Sequence, residues 1–158
     1  MQANRVLVPV HGDETDNRSL WLACELTRET KGKVYVLYVI EVQRDLPLDA
    51  DVGPENAKGE AVLQRMESLG LQYHSNIEAE ILQARSAGPA VVQEAVDREV
   101  EAIVLAVPYK KRYGVFSLGN TVPYILGNSP CLVLLLRQEI VPNGNKGNGR
   151  LIGPNQGL

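Results

Sequence analysis

The chain has 158 residues, enough for one domain and too few for two ordinary ones. Its 16 basic and 19 acidic residues leave a formal charge of -3, so no polybasic field is present and nucleic acid is not an expected partner. The longest apolar runs, Ala102 to Val107 and Cys131 to Leu136, are strand-sized and far below the roughly 20 residues of a membrane span, so no membrane insertion is expected. No secretory pattern precedes Val6, and Cys24 and Cys131 each lie in an apolar segment without a disulfide framework, so the expected compartment is the cytoplasm.

Val6 to Val10 form a β-rich run closed by His11 and Gly12, and Asp13 is placed to cap a following helix whose first turn carries Asp16. In that helix Leu20, Ala23, Cys24 and Thr27 share one face, until Lys31 and Gly32 end the pattern. Val34 to Ile40 is apolar throughout, as suits a central strand covered on both faces. Residues 41–54 have no sustained period and read as a loop, a solvated connection in the first place and, as the alternative, long enough for a flap over a site. A second helix is predicted from about Glu55 to Leu69 on Val62, Leu63, Met66 and Leu69, with Gly70 placed to terminate it.

From Ile77 the chain alternates Ile77, Ala79 and Ile81 with Glu78 and Glu80, the pattern of a half-exposed edge strand. Ser86 to Pro89 open a third helix that turns Val91, Val92, Ala95 and Val96 to the core. Ala102 to Ala106 form the fourth strand. Residues 107–118 read as a polar, aromatic and basic loop, and a short helix from about Gly119 to Gly127 leads to the fifth strand, Cys131 to Leu136. Alternation of strands and helices predicts an open five-stranded parallel α/β sheet, Rossmann-like, with helices on both faces. In such a sheet the ligand crevice lies beyond the carboxyl ends of the strands, where strand order reverses. The predicted domain is residues 1–137. Residues 138–158 form a Gly- and Asn-rich tail with too little apolar surface to order itself.

The run R-V-L-V-P-V-H-G-D-E-T-D-N-R-S-L-W-L-A from Arg5 to Ala23, with V-Y-V-L-Y-V-I-E, A-G-P-A, E-A-I-V-L-A and G-N-T-V-P-Y-I-L-G-N-S-P-C-L-V-L-L-L-R in order after it, resembles the universal stress protein family. The resemblance implies strand order 3-2-1-4-5. It also implies a nucleotide site in ATP-binding members, where an aspartate ends strand 1 and strand 4 is followed by G-x-x-G, nine residues, then G-S or G-T. Here His11 holds the aspartate position and Val39 the strand 2 position beside adenine. Counting back from Gly119 puts Ala106 and Tyr109 at the first two glycines, with Asn120 at the Ser/Thr position. Glycine matters there because backbone must approach phosphate closely.

The expectation is therefore a non-enzymatic, dimeric regulatory or interaction module, paired through its fifth strand, with a degenerate ATP site and no cofactor. The alternative is a sensor of ATP or another nucleotide or anionic metabolite, with Lys110, Lys111 and Arg112 supplying charge and Asn120 and Thr121 polar groups at a helix start. The glycine-to-proline segment before the last strand is also similar to universal stress domains appended to transporters, which suggests a membrane transporter as a regulated partner. No metal site is expected, since His74 is the only other histidine. No catalytic residues are expected, since Ser19, Ser117 and Cys24 lack a sequence-local base and acid.

Overall fold

The computed structural model describes residues 1–73, 75–108, 111, 112, 115, 116 and 119–138, with backbone alone at 111, 112, 115 and 116. Elements follow as β1 (Arg5–Val10), α1 (Thr15–Thr27), β2 (Lys33–Glu41), α2 (Gly53–Gln72), β3 (Asn76–Ala84) and α3 (Ala87–Asp97). Then come β4 (Ala102–Pro108), β5 (Lys111–Arg112), β6 (Val115–Phe116), α4 (Thr121–Asn128) and β7 (Leu132–Gln138). The main sheet is parallel, ordered β3-β2-β1-β4-β7, so the expected fold class and strand order hold, with β7 as the fifth sheet strand.

Two-residue alternation sorts the core into two layers. Val6, Val8, Val34 and Val36 pack with Leu20 and Ala23 of α1 and Met66 of α2, whereas Leu7, Leu37, Ile103 and Leu105 pack with Val91 of α3 and Ile125 of α4. At the rim, Arg98, just after α3, stacks its guanidinium 4.5 Å from the Tyr35 ring centroid and pairs with Glu78 and Glu80 of β3.

The ladders are uneven. β1 pairs with β2 along its whole length, from Arg5 opposite Lys33 to Val10 opposite Tyr38. Its pairing with β4 runs only through Val6 and Leu7. Pro9, two residues later, has no N–H to give a ladder. The carboxyl ends of β1 and β4 therefore part, which opens the sheet at its switch point.

Several local expectations are corrected. Asp13 does not cap α1 as its N-cap residue. Its Oδ1 accepts from the Thr15 amide at 2.8 Å in a tight local turn, and the helix begins at Thr15. Residues 42–52 are not a flap over the crevice. Arg85 donates to the carbonyls of Gln43 at 2.6 Å and Leu46 at 2.8 Å, and Gln83 donates to Leu48 at 2.9 Å, holding the loop beside the end of β3. Val96 is 48% exposed rather than in the core. Within the expected loop 107–118, Lys111–Arg112 and Val115–Phe116 pair as a small antiparallel ladder.

Gly70 does not terminate α2, which continues to Gln72. It is buried, and a Cβ there would lie 2.3 Å from Ile77 Cγ1, so its role is close approach of the helix to β3. Helix propensity alone favours alanine at such a position by about 1 kcal/mol. Overpacking opposes this, at a typical cost of about 1–3 kcal/mol. Urea unfolding of Gly70→Ala should show a net loss of stability; a gain would show that Ile77 yields to the added methyl and that helix propensity decides the position.

Candidate functional site

The parted ends of β1 and β4 enclose a cavity of about 340 Å³, at the lower end of the range for small-molecule sites. Pro9, Val10 and His11 form one wall, Leu37 and Val39 the floor, and Leu105, Ala106 and Val107 the opposite wall. Ala87 and Val91 of α3 and Thr121 and Val122 of α4 close it on the second face of the sheet. The lining is mainly aliphatic. Glu41, at the end of β2, sets one wall: its carboxylate accepts from the Ala87 amide at 2.8 Å, filling the place of a side-chain cap at the α3 start.

The β1–α1 turn is built around Asp16. Its side chain is 1% exposed, and its Oδ2 accepts from the Gly12 amide at 2.7 Å while the His11 amide lies 3.2 Å from Oδ1. Gly12 has a φ of +102°, a conformation that an L side chain resists, and this lets two successive amides face the one carboxylate. Burial pushes the Asp16 carboxyl above the usual carboxylate range, opposed by the charge of His11 and by the two amides. Arg65 of α2 adds a guanidinium 3.6 Å from Asp16 Oδ2 and donates to the Asp13 carbonyl at 3.1 Å.

His11 is thereby placed between two carboxylates. Its Nε2 lies 2.7 Å from Asp13 Oδ2 and its Nδ1 lies 3.5 Å from Asp16 Oδ1. Asp13 also accepts from the Thr15 hydroxyl, whose oxygen lies 3.3 Å from the Ala106 carbonyl oxygen across the opening. At Asp13 burial pushes the pKa up, but the Thr15 hydroxyl, the charge of His11 and the Thr15 amide together bring it below the ordinary value. His11, Asp13 and Asp16 offer ligand atoms within 4.8 Å of one another, the sole such grouping among the described residues. Each carboxylate is already held by amides, a hydroxyl or the imidazole, at the positive end of a helix, so the arrangement is accounted for without a cation.

Of the residues singled out from sequence, His11, Val39, Ala106 and Thr121 line the cavity together. Gly119 and Asn120 stand exposed at the start of α4 and are not lining residues, although Gly119 does take a positive φ of +69°. Tyr109 and Lys110 lie outside the described residues, as do the side chains of Lys111 and Arg112. Sequence reasoning missed Arg65, and missed that it meets Asp16 and the Asp13–Thr15 turn in one corner of the crevice. Asp16 was visible as an acid in a helix first turn; that it turns back toward the strand end depends on the positive φ at Gly12.

Removing the Asp16 carboxylate leaves two amides without acceptors, and a buried unsatisfied donor costs about 1–3 kcal/mol. Asp16→Ala should therefore lose about 2–3 kcal/mol in urea unfolding, with Asp16→Asn recovering part of it. Asp13 carries the opposite shift, below 3.8. Its contribution to stability is complete above the unfolded value and is lost as pH falls through the lowered one. Thermal melts of Asp13→Asn should accordingly depend less on pH below about 4 than melts of the unaltered chain.

The family model of the universal stress protein family matches residues 3–137. A universal stress protein of Methanocaldococcus jannaschii is 21% identical over 140 residues, spanning 85% of this chain and 82% of the relative. Among solved structures, a universal stress protein from Archaeoglobus fulgidus superposes with a TM-score of 0.69 at 18% identity, over 83% of this chain and 96% of that one. The Archaeoglobus fulgidus structure in complex with dAMP gives 0.68 at 17% identity, covering 85% and 98%. An Arabidopsis thaliana family protein with AMP bound gives 0.64 at 18%, covering 89% and 97%. With the match to the family model running from the start of β1 through β7, the chain belongs to the universal stress protein family.

Proposed function

We propose that this protein is a non-enzymatic regulatory or interaction module of its family that does not hold ATP in the family manner. The observation that carries the reading is the chemistry of the crevice. Its β4 wall is made of Leu105, Ala106 and Val107, all apolar residues, and its β1 corner presents an imidazole engaged by Asp13 and Asp16. A triphosphate needs several converging donors or cations. Among the described lining residues, Thr121 and Tyr38 carry hydroxyls and His11 an imidazole, and no lysine or arginine is present; the Tyr38 ring is packed against Gly59 of α2.

A second reading is supported by the space that remains. A cavity of about 340 Å³ with an apolar floor suits the base of a nucleotide, and relatives of the same fold have been solved with dAMP, cAMP and AMP. Under this reading the chain is a sensor of a nucleotide or another anionic metabolite. Lys110, Lys111 and Arg112 would supply the charge, and a membrane transporter is one partner that such a sensor could regulate.

The proposed assembly is a homodimer paired through β7. Among the described residues this strand bonds only β4, along one edge; it exposes Leu132 and keeps Val133 to Leu136 half-buried in the single chain. An apolar edge of this kind needs cover. The proposed location is the cytoplasm; among the described residues no helix is long and apolar enough to cross a membrane.

Isothermal titration with magnesium-ATP should give a dissociation constant weaker than about 1 mM, equivalent to less than about 4 kcal/mol of binding. Micromolar affinity would overturn the first reading, and saturable binding of AMP without ATP would favour the second. Light scattering under reducing conditions should report twice the chain mass, whereas a monomer at micromolar concentration would contradict the β7 dimer.

A further inference from the structure

The far edge of the sheet carries a second concave surface, distant from the crevice in sequence and in chemistry. β3 pairs with β2 on one side, and among the described residues nothing pairs with its other side. Beside that open edge lie two adjoining depressions of about 680 and 420 Å³, which share Asn56 and Ile81. Ala79 and Ile81 of β3 form their floor, Glu60 and Glu67 of α2 one bank, and Asp49 the end. No lysine, arginine or histidine is among the lining residues.

Two pairs of like charges on α2 face different sides. Arg65 turns toward the β1–α1 turn, where it reaches Asp13 and Asp16, and a Cβ on Gly12 of that turn would lie 3.6 Å from Lys58 Cε. Lys58 and Arg65 are seven residues apart, as are Glu60 and Glu67, so each pair shares one side over two helical turns. The acids on the opposite face of β3 are neutralised, Glu78 by Lys33 and Arg98, and Glu80 by Arg98. Among the described residues, Asp49, Glu60 and Glu67 have no ion-pair partner; Glu60 accepts only a hydrogen bond from Asn56, at 3.3 Å.

We propose that this groove and the open β3 edge together form a docking site for a basic, extended polypeptide segment of another protein. The segment would add as a strand to β3 and place alternate lysines or arginines against Glu60, Glu67 and Asp49. The edge supplies main-chain pairing over a nine-residue strand of about 30 Å. The acids supply selection by charge, and the small side chains between the basic ones turn to the opposite face of the sheet, the side of Glu78 and Glu80. The site is independent of the crevice and of the β7 edge.

Fluorescence anisotropy of a labelled Lys-Thr-Lys-Val-Lys-Thr-Lys peptide against the full chain at low salt tests the proposal. Saturable binding is expected. Glu60→Lys with Glu67→Lys, both at exposed positions, should weaken it at least about tenfold, while Glu25→Lys with Glu29→Lys, an equal charge change at and after the end of α1, should leave it within about twofold. A peptide with proline at alternate positions, unable to give ladder donors, should also lose at least about tenfold. No saturation below about 1 mM, equal loss in both charge variants, or undiminished binding of the proline peptide would overturn the proposal. So would tighter binding after Lys146→Glu with Arg150→Glu, which would assign the groove to the chain's own tail. Release of a dimer to monomer by the peptide would assign it to a second copy.

Discussion

The buried carboxylate of Asp16 is the interaction on which the functional end of this molecule depends. Strand β1 must stop, reverse and enter α1 within a few residues, and the amides of His11 and Gly12 at that reversal have no strand partner. Asp16 accepts both, from the first turn of the helix they precede, at the end where the helix dipole favours a negative charge. The cost of burying that charge is visible in the raised pKa of Asp16, and it is offset by the amides, by His11 and by Arg65 from α2. The same arrangement gives His11 two carboxylate neighbours and thereby decides what the crevice meets at its β1 corner.

The crevice itself follows from how the sheet is paired. A parallel sheet built from complete ladders has no room between adjacent strands. Here β1 follows β2 throughout but leaves β4 after Leu7, so space opens at the carboxyl ends of β1 and β4, near the contact between the Thr15 hydroxyl and the Ala106 carbonyl. Chemistry then separates the two edges of the molecule. The crevice is mainly aliphatic, the β7 edge is apolar, and the β3 edge is bordered by unpaired acids. Three surfaces on one sheet therefore suit three different kinds of contact.

Much of the architecture could be read from alternation and period. Val6 and Val8 against Leu7, and Ile77, Ala79 and Ile81 against Glu78 and Glu80, show their faces in sequence because a strand has only two. The switch-point crevice followed from strand order, while His11, Val39 and Ala106, which line it, were picked out by the family resemblance and Thr121 as a polar group at a helix start. What remained hidden depended on contacts between residues far apart in the chain. Gly70 reads as a helix stop until Ile77 is known to lie against it. Residues 42–52 read as free until Arg85 and Gln83 are found bonded to their carbonyls. Val96 matches the helical period of Val92 and yet stays half-exposed, one residue before the end of α3.

One buried carboxylate holds the two amides at the end of β1, and nuclear magnetic resonance observes that arrangement residue by residue. Amide proton shifts of His11 and Gly12, followed from acid to neutral pH, should move together with the Asp16 carboxyl carbon, at a shared midpoint above 3.8. Amide shifts that stay constant while Asp16 titrates, or that follow another group, would contradict the account.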